Sequence, residues 1–370
     1  MTFTISSKDL AQSLETLSKV INPKNSLPIL GNISFGVKNN TLSLRASDGE
    51  NTLMTSLELT EAEGEGIFSV GAKEITEAVK NISERPLTFD INTDNKMAKV
   101  IYLEGEFTLP IDLEDLPQAP VMDEYGQFTI GEGLLKTVVE RSLPATATDE
   151  LRPVMNGVEF NNTEHGLDVV ASDGHKLIKN TISGVTGNNS FIMPKKPATL
   201  LKSMLNSTSD KTATITFDDR QGMVKMESYT LQFRMIEGRY PNYNAVIPEN
   251  NDKIALIDRT TLLAAMKRIT PFANDSSSLV KFTVENNSII LEAEDYDFSK
   301  TAKETVACSY NCEKMEIGFK GTTITELLTQ LKTQEVELQL ADKSRAALIV
   351  PSKQDEDNEV TMLLMPMLIA

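Results

Sequence analysis

The stretch FTISSKDLAQSLETLSKVI, residues 3–21, carries the pattern with which the chain begins each of three repeated segments. Its first residues, Phe3–Ile5, have the apolar-polar alternation of a short strand, and Ser6 with Asp9 forms an S-x-x-D helix-start signal. After this signal, apolar side chains recur at helical spacing, at Leu10, Leu14, Leu17 and Ile21. The spacing predicts a helix with one buried face that follows directly on a strand.

The same strand-helix pattern returns twice, with a period of about 125 residues, which is typical of an internal repeat. The second copy begins at Phe128–Ile130 and the third at Ile254–Ile257. Their predicted helical faces are Leu134, Leu135, Val138 and Val139, and Leu262, Leu263, Met266 and Ile269.

Each copy continues with a predicted hairpin whose strands alternate on either side of a polar turn. Asn39 and Asn40 supply that turn in the first copy, and Asn286 and Asn287 supply it in the third. A second amphipathic helix follows in every copy, with faces at Ile75, Ala78, Val79 and Ile82, at Leu200, Leu201, Met204 and Leu205, and at Ile324, Leu327, Leu328 and Leu331. More alternating strands close each copy.

This order predicts an α+β fold of three repeated domains, each with two helices packed on antiparallel sheets. Stretches rich in proline, asparagine and acidic residues, near residues 114–127 and 240–253, indicate the joints between them. The predicted domains are therefore residues 1–124, 125–250 and 251–370.

Composition excludes several classes of protein. Of the 370 residues, 40% are hydrophobic and 24% are charged, which is typical of a globular chain. Because no apolar run approaches bilayer length and the first residues lack a signal-peptide pattern, we expect a cytoplasmic protein. The two cysteines, Cys308 and Cys312, are interpreted as unrelated thiols that are buried or half-buried, and we expect no metal site.

The charge is unevenly distributed. The formal net charge is −17, which on its own argues against a nucleic-acid partner. The six predicted helical windows nevertheless carry +6 in total, so the rest of the chain carries −23. One interpretation is a basic helical layer that faces a polyanion. The alternative is that helices simply favour lysine and arginine, but helices favour glutamate as well, and that excess is missing here.

The segment Ala171–Lys176 is the first place to look for catalysis, because Ser172, Asp173 and His175 have the composition of a hydrolase triad. Adjacent residues of a strand point to opposite faces, however, which is a poor geometry for a triad. Residues 46–49 repeat Ala-Ser-Asp-Gly without a histidine. This repetition favours a turn in which the aspartate accepts backbone hydrogen bonds and the glycine takes a positive φ.

The chain ends in residues 362–370, nine residues without a charge. A final core strand is the simplest interpretation, but Pro366 interrupts a strand ladder, so we expect the last residues to leave the sheet. Methionine-rich apolar surface adapts its shape and suits the binding of related peptides.

Five motifs in this order resemble the bacterial DNA sliding clamps, the β subunits of DNA polymerase III, over the whole chain. They are Leu27–Asn32, Ala171–Leu177, Glu237–Tyr243, Met315–Phe319 and Met365–Met367. The resemblance implies a head-to-tail ring of two chains that encircles duplex DNA without sequence preference. It also implies a processivity factor without a catalytic residue, cofactor or metal. The implied partners are the replicative polymerase, the clamp loader and other replication and repair proteins.

The resemblance also implies three sets of site residues. A peptide-binding pocket would be formed by Met155, Ser172, Gly174, His175, Lys176, Leu177, Pro241, Val246, Leu364, Met365, Pro366 and Met367. The cations facing DNA would be Lys24, Lys73, Arg152, Lys195, Lys196, Lys202 and Arg268. The ring joint would be formed by Phe107 and Leu109 of one chain against Pro271 and Phe272 of the other.

The sequence departs from the family pattern at two places. Ala245 stands where many relatives carry arginine, and the chain ends in Leu368, Ile369 and Ala370 where arginine commonly follows. Both departures remove a cation from the rim of the pocket and are expected to change its peptide preference. Two other functions stay open from the residues alone: a hydrolase using Asp173 and His175, and a repeat scaffold that does not bind DNA.

Overall fold

The computed structural model describes residues 1–103, 105–123, 126–187 and 189–369. The chain divides into two compact units, each built from two separate stretches. The first unit comprises Met1–Leu135 with Leu200–Met235, and the second comprises Lys136–Thr199 with Ile236–Ala370. The first predicted domain boundary falls on Glu124 and Tyr125, which lie outside the described residues. The three domain ranges stay a prediction.

Helices and strands alternate as the repeat predicts. Within the described residues the helices are α1 (Ser7–Ser18), α2 (Ala72–Lys80), α3 (Glu132–Ser142), α4 (Lys195–Met204), α5 (Arg259–Ile269) and α6 (Gly321–Gln330). The strands are β1 (Thr2–Ser6), β2 (Asn32–Lys38), β3 (Thr41–Ser47), β4 (Asn51–Glu58), β5 (Glu61–Glu63), β6 (Gly66–Gly71), β7 (Pro86–Asn92), β8 (Met97–Tyr102), β9 (Gly105–Asp112), β10 (Gly126–Gly131), β11 (Gly157–Thr163), β12 (Gly166–Ser172), β13 (Lys176–Ile182), β14 (Ser190–Pro194), β15 (Thr212–Phe217), β16 (Gln221–Lys225), β17 (Thr230–Arg234), β18 (Lys253–Asp258), β19 (Leu279–Glu285), β20 (Ser288–Asp295), β21 (Lys300–Ala307), β22 (Met315–Lys320), β23 (Glu335–Leu340), β24 (Ala347–Pro351) and β25 (Asn358–Leu364).

In the first unit, thirteen strands form one sheet in the order β10-β15-β16-β17-β4-β3-β2-β6-β9-β8-β7-β1-β5. Its strand pairs are antiparallel, as at β1 with β7 and β3 with β4. Strands of two different repeats meet where β17 pairs with β4, with Leu231 opposite Leu53. The sheet therefore continues through the joint between the first and second repeats.

The second unit contains an eight-stranded sheet, β14-β11-β12-β13-β25-β24-β23-β18, and a four-stranded sheet, β21-β20-β19-β22. The larger sheet also joins two repeats, because β13 pairs with β25 and places Leu177 opposite Leu363. The α+β class with antiparallel sheets is thus confirmed.

The amphipathic helices pack through the faces that the periodicity predicts. Leu10, Leu14 and Leu17 of α1 are fully buried, and α1 packs against α2. The helix-start signal is confirmed, since the Asp9 N–H donates to the Ser6 hydroxyl. Two predicted helices were too long: α1 ends before Ile21, and one of the six predicted helical windows, residues 191–206, begins with β14, whose residues pair with β11.

The asparagine turns take the conformation that two-residue hairpins need. Asn39 and Asn40 have φ values of 49° and 58°, and Asn286 and Asn287 have 48° and 60°. Two successive positive φ values define a turn whose twist matches the flanking strands. The predicted hairpins β2–β3 and β19–β20 are therefore confirmed.

We expect the substitution Asp258→Ala to lower the free energy of unfolding by about 1 kcal/mol at pH 7, because Asp258 caps α5. Its carboxylate accepts from the Thr260 hydroxyl and from the Thr261 N–H, both at 2.7 Å. These hydrogen bonds lower the pKa of Asp258 to about 2. The stabilisation is therefore complete above the ordinary carboxyl pKa and is lost as the pH falls toward 2.

Urea unfolding of the parent and the variant, followed by circular dichroism at several pH values, measures this difference. Asp258→Asn is the matched control, because asparagine also caps helices but does not titrate. A difference between Asp258→Ala and the parent that stays constant from neutral to acidic pH would contradict the capping assignment.

Candidate functional site

A tight turn connects β12 to β13 in the second unit. Asp173 accepts hydrogen bonds at one carboxylate oxygen from the N–H groups of His175 and Lys176, at 2.8 and 2.9 Å. The Ser172 hydroxyl donates to the Lys176 carbonyl and accepts from the Gly174 N–H. Gly174 has a φ of +89°, a conformation that favours glycine. The turn chemistry predicted from the sequence is confirmed.

The first unit contains the same turn between β3 and β4. Asp48 accepts from the N–H groups of Glu50 and Asn51, and the Ser47 hydroxyl donates to the Asn51 carbonyl. Gly49 has a φ of +96°. Because the first copy builds this geometry without a histidine, Ser-Asp-Gly serves the backbone and not a reaction.

The hydrolase alternative is therefore corrected. In the part of the chain that the structure describes, the hydrogen bonds of the Ser172 hydroxyl and the Asp173 carboxylate go to the turn itself and not to the His175 side chain. A nucleophile needs a hydrogen bond to its base, and the base needs one to an orienting carboxylate. Neither bond is made here.

The C-terminal residues cross this turn. The Met365 N–H donates to the His175 carbonyl at 2.8 Å, directly after β25 ends at Leu364. Beyond Pro366, the Met367 N–H donates to the Gly318 carbonyl of β22 at 2.8 Å. The residues after Leu364 thus leave the larger sheet, as predicted, and bridge to the smaller sheet of the same unit.

A segment containing two tyrosines covers the neighbouring face of β12 and β13. The Tyr240 hydroxyl accepts from the Ser172 N–H at 2.8 Å, and the Tyr243 hydroxyl donates to the Asp168 carboxylate at 2.8 Å. Burial raises the pKa of both phenols. These bonds fix Tyr240 beside the turn and Tyr243 further along β12; Pro241 follows Tyr240 directly, and the Val246 N–H donates to the Tyr243 carbonyl.

Of the predicted pocket residues, those of the turn and the start of β13 lie beside Leu364 and Met365, and Pro241 and Val246 lie on the adjacent segment 240–246; the pocket itself stays a prediction. We call this surface the groove. Beneath it lies a buried apolar cluster of Val170, Leu177, Ile192, Tyr240, Tyr243, Ala346, Leu348 and Leu363. Val154, Ile236 and Ile247 pack on this cluster while half-exposed, and Val246 and Met365 are exposed. Met155, Leu177 and Leu364 are buried, so they support the surface from below.

Two lysines at the groove are paired with carboxylates. Lys176 contacts Glu326 of α6 and lies 3.8 Å from Asp173. The ammonium of Lys179 lies 3.1 Å from an oxygen of Asp168. Sequence reasoning missed Glu326, because 150 residues separate it from Lys176.

Arg152 is a third cation at the groove that is paired with a carboxylate. Its Nε lies 3.0 Å from an oxygen of Asp149, and a Cβ added at Gly174 would lie 3.0 Å from its Nη1. Arg152, predicted to face DNA, thus lies against the turn of the groove.

Glu159 of β11 is a buried carboxyl group on the same sheet. Burial raises its pKa to about 7, and a hydrogen bond from the Ser190 side chain opposes the shift. The sequence gives no signal for this, because Glu159 lies in an otherwise ordinary alternating strand.

The other predicted DNA-facing cations are distributed over both units. Lys24, Lys73 and Lys202 belong to the first unit, and Lys195, Lys196 and Arg268 to the second. All except the half-buried Lys196 are exposed. Arg268 is held by two hydrogen bonds to Glu304 of β21. An arginine that is already paired contributes less to phosphate binding than its sequence position suggests.

The four residues predicted to form the ring joint are exposed or half-buried. Phe107 and Leu109 are half-buried on β9, Pro271 is exposed after α5, and Phe272 is 42% exposed.

The Cys312 side chain is exposed, which corrects the expectation of a buried or half-buried thiol. Cys308 is half-buried, and burial raises the pKa of its thiol to about 11.

The described residues contain neither a membrane-spanning helix nor a cluster of metal-binding side chains. No helix among them has the length and apolar character to cross a membrane. No cluster of three or more histidine, cysteine, aspartate or glutamate residues within those ranges is arranged to hold a metal ion.

We expect Tyr240→Phe to lower the free energy of unfolding by about 1–2 kcal/mol, because it leaves the Ser172 N–H without its acceptor. Chemical denaturation monitored by fluorescence or circular dichroism measures the change. Tyr296→Phe is the control, because Tyr296 is exposed and its hydroxyl contributes little. Equal stability of Tyr240→Phe and the parent would show that the segment 240–246 does not depend on this bond.

Almost the whole chain matches known protein families, namely the three domains of one subunit in order along the sequence. Residues 1–120 match the DNA polymerase III beta subunit N-terminal domain, residues 129–242 its central domain, and residues 244–368 its C-terminal domain. The beta sliding clamp of Haemophilus influenzae is 26% identical and covers 99% of this chain and 100% of its own length. The beta sliding clamp of Escherichia coli K12 is also 26% identical, with the same coverage.

Solved structures support the same fold. The DNA polymerase sliding clamp from Pseudomonas aeruginosa superimposes with a TM-score of 0.93 at 24% identity and covers 100% of both chains. A putative DNA polymerase III beta subunit from Eubacterium rectale gives a TM-score of 0.90 at 20% identity, again over 100% of both chains.

Proposed function

Because this chain belongs to the family of DNA polymerase III β subunits, the bacterial sliding clamps, we propose that it is the processivity factor of a DNA polymerase. Two copies join head to tail into a ring that encircles duplex DNA and tethers the polymerase to it. The observation that carries this proposal is the match of all three β-subunit domains, in order, along the chain. Its relatives cover 99% of the chain, so no large segment departs from the family.

Two open strand edges support ring closure. In the described residues, β9 pairs with β6 only at Ile111 and Asp112, so residues 105–110 bond β8 on one side alone. Among the strands that the structure describes, β21 pairs only with β20. An unprotected edge of this length favours pairing with another chain. We infer that β9 of one chain pairs with β21 of its partner and brings Phe107 and Leu109 against Pro271 and Phe272.

The charge along the two edges is complementary. The open part of β9, residues 105–110, carries Glu106, whereas β21 carries Lys300, Lys303 and Glu304, a net charge of +1. Opposite charges on paired strands favour this pairing over the pairing of either edge with itself. A head-to-tail contact that closes after two copies has two identical joints.

The exposed cations support contact with DNA that ignores base sequence. Lysine and arginine side chains contact phosphates without reading bases, and few contacts give weak, salt-dependent binding. Retention on DNA then comes from ring closure and not from affinity, and weak contacts allow the ring to move along the duplex.

The groove is the proposed site for short peptide segments of the polymerase, the clamp loader and other replication and repair proteins. Its half-exposed apolar residues over a buried cluster suit the apolar anchors of a peptide. The chain acts in the cytoplasm, where bacterial DNA lies, as an accessory subunit without its own catalysis or cofactor. A scaffold that does not bind DNA is not favoured, because it gives the exposed cations no role.

Retention on DNA tests this function directly. The protein is loaded by its cognate clamp loader onto nicked circular plasmid, and the complex is separated from free protein by gel filtration. We expect retention on the circle and loss after a restriction enzyme linearises it. Class averages from electron microscopy should show a closed ring with six lobes. Retention after linearisation, or compact particles without a hole, would contradict the proposal.

A further inference from the structure

We propose that the groove selects peptides whose apolar anchors are joined by uncharged residues, and that Glu326 is the residue that sets this preference. The inference rests on the proposed peptide-binding function and adds the chemistry of its partner. Glu326 neutralises Lys176, the lysine directly after the turn of the groove, so an acidic peptide finds no counter-charge there.

The side-chain contacts of Lys176 carry the first step. Lys176 begins β13 directly after the turn, and its side chain is only 11% exposed. Its ammonium donates to the Glu326 carboxylate and lies 3.8 Å from an oxygen of Asp173. A cation between two carboxylates is attracted to them more strongly than to a peptide that approaches through water. Lys176 is thus held toward α6.

Two further cations of the groove, Lys179 and Arg152, are compensated in the same way. Lys179 is 3.1 Å from an oxygen of Asp168, donates to the Asn244 side chain and lies over the Tyr243 ring. Arg152 is paired with Asp149, because its Nε lies 3.0 Å from a carboxylate oxygen of Asp149. Three cations therefore meet four carboxylates at this surface, namely Asp149, Asp168, Asp173 and Glu326. An additional negative charge from a peptide is repelled, because like charges at an interface are unfavourable.

The apolar part of the groove remains available to a ligand. Val246 and Met365 are exposed, and Val154, Ile236 and Ile247 are half-exposed above the buried cluster. Apolar anchors gain free energy from this burial irrespective of the charge of the spacers. The anchors then give the affinity, and the spacers decide between peptides.

Two fluorescent hexapeptides test the inference on the full-length protein. They share leucine and phenylalanine anchors and differ only in their spacers, which are serine in one and aspartate in the other. Fluorescence anisotropy at low and high salt gives their dissociation constants. For the parent we expect the serine peptide to bind about tenfold more tightly than the aspartate peptide, with the difference shrinking at high salt.

The variant Glu326→Gln keeps the shape of the side chain and removes its charge. We expect it to improve the binding of the aspartate peptide about three- to tenfold and to leave the serine peptide within twofold. The double variant Glu326→Gln with Lys176→Gln should lose that gain, which shows that the released lysine causes it. Glu335→Gln, an exposed carboxylate at the start of β23, is the matched control and should change neither peptide.

The outcomes separate the two proposals. If the serine peptide does not bind the parent at all, the peptide-binding function of the groove fails. If the serine peptide binds but the aspartate peptide binds equally well, or Glu326→Gln leaves the aspartate peptide unchanged, the selection by Glu326 is overturned. Arg239 is an exposed arginine beside Tyr240, and a tenfold loss of the aspartate peptide in Arg239→Gln would assign acidic recognition to that residue instead.

Discussion

Phe272→Asp is expected to prevent formation of the proposed two-chain ring, so that the variant is a monomer at micromolar concentration. Phe272 is 42% exposed in the short turn after α5 and is the largest apolar side chain of the proposed joint on that side. Burying a whole phenylalanine contributes about 1.5–3 kcal/mol, so burying the exposed 42% of Phe272 contributes roughly 1 kcal/mol, and aspartate adds a desolvation penalty of several kcal/mol. Because a ring contains two joints, the loss counts twice, and the dissociation constant should rise about 1,000-fold or more.

Sedimentation velocity and light scattering give the mass directly. The parent should have the mass of two chains and the variant the mass of one, and circular dichroism shows whether the variant keeps the parent's fold. Val121→Asp is the matched control, since Val121 is 93% exposed and lies outside the proposed joint. A variant that remains a dimer would remove Phe272 from the joint.

Met365→Asp is expected to weaken the binding of an apolar-anchored peptide at least 30-fold. Met365 is 43% exposed, and its N–H bond to the His175 carbonyl fixes it beside the turn. A carboxylate at this position puts a charge where an apolar anchor would be buried, at a cost of several kcal/mol without a partner. The effect should therefore exceed that of any single change at the rim of the groove.

Fluorescence anisotropy with the serine hexapeptide measures this loss, and the melting temperature shows whether folding is intact. Val121→Asp is the matched control, because Val121 is 93% exposed and belongs to the first unit, whereas the groove belongs to the second. We expect it to change the affinity less than threefold. If Met365→Asp binds as the parent does, the peptide does not contact the C-terminal residues, and the groove must be redefined.

Local patterns in the sequence predict most of the fold. The spacing of Leu10, Leu14 and Leu17 predicts a buried helical face, and Asn286 with Asn287 predicts a hairpin turn, because both depend on neighbouring residues alone. The lengths of helices were less predictable. Ile21 continues the helical period, yet α1 ends at Ser18, which shows that a favourable apolar spacing does not by itself extend a helix.

The site could be predicted only in part. Motif similarity identifies the turn residues and Met365, and the geometry brings them together. The pairing of Lys176 with Glu326, by contrast, depends on how α6 packs near β13, and no local pattern records that. The same holds for Arg152, whose position against Gly174 is set by tertiary contacts. Charge counts along the sequence could not reveal that these cations are already compensated.

The pairing of β4 with β17, and of β13 with β25, has a consequence for how the chain folds and unfolds. Each pair joins strands more than 170 residues apart, so neither sheet is complete until a later repeat has been synthesised. A single repeat cut from the chain would expose a bare strand edge and would be prone to aggregate. Cooperative unfolding should therefore follow the two compact units and not the three repeats. The threefold repetition is a pattern of the sequence, whereas the continuous sheets determine which parts of the molecule unfold together.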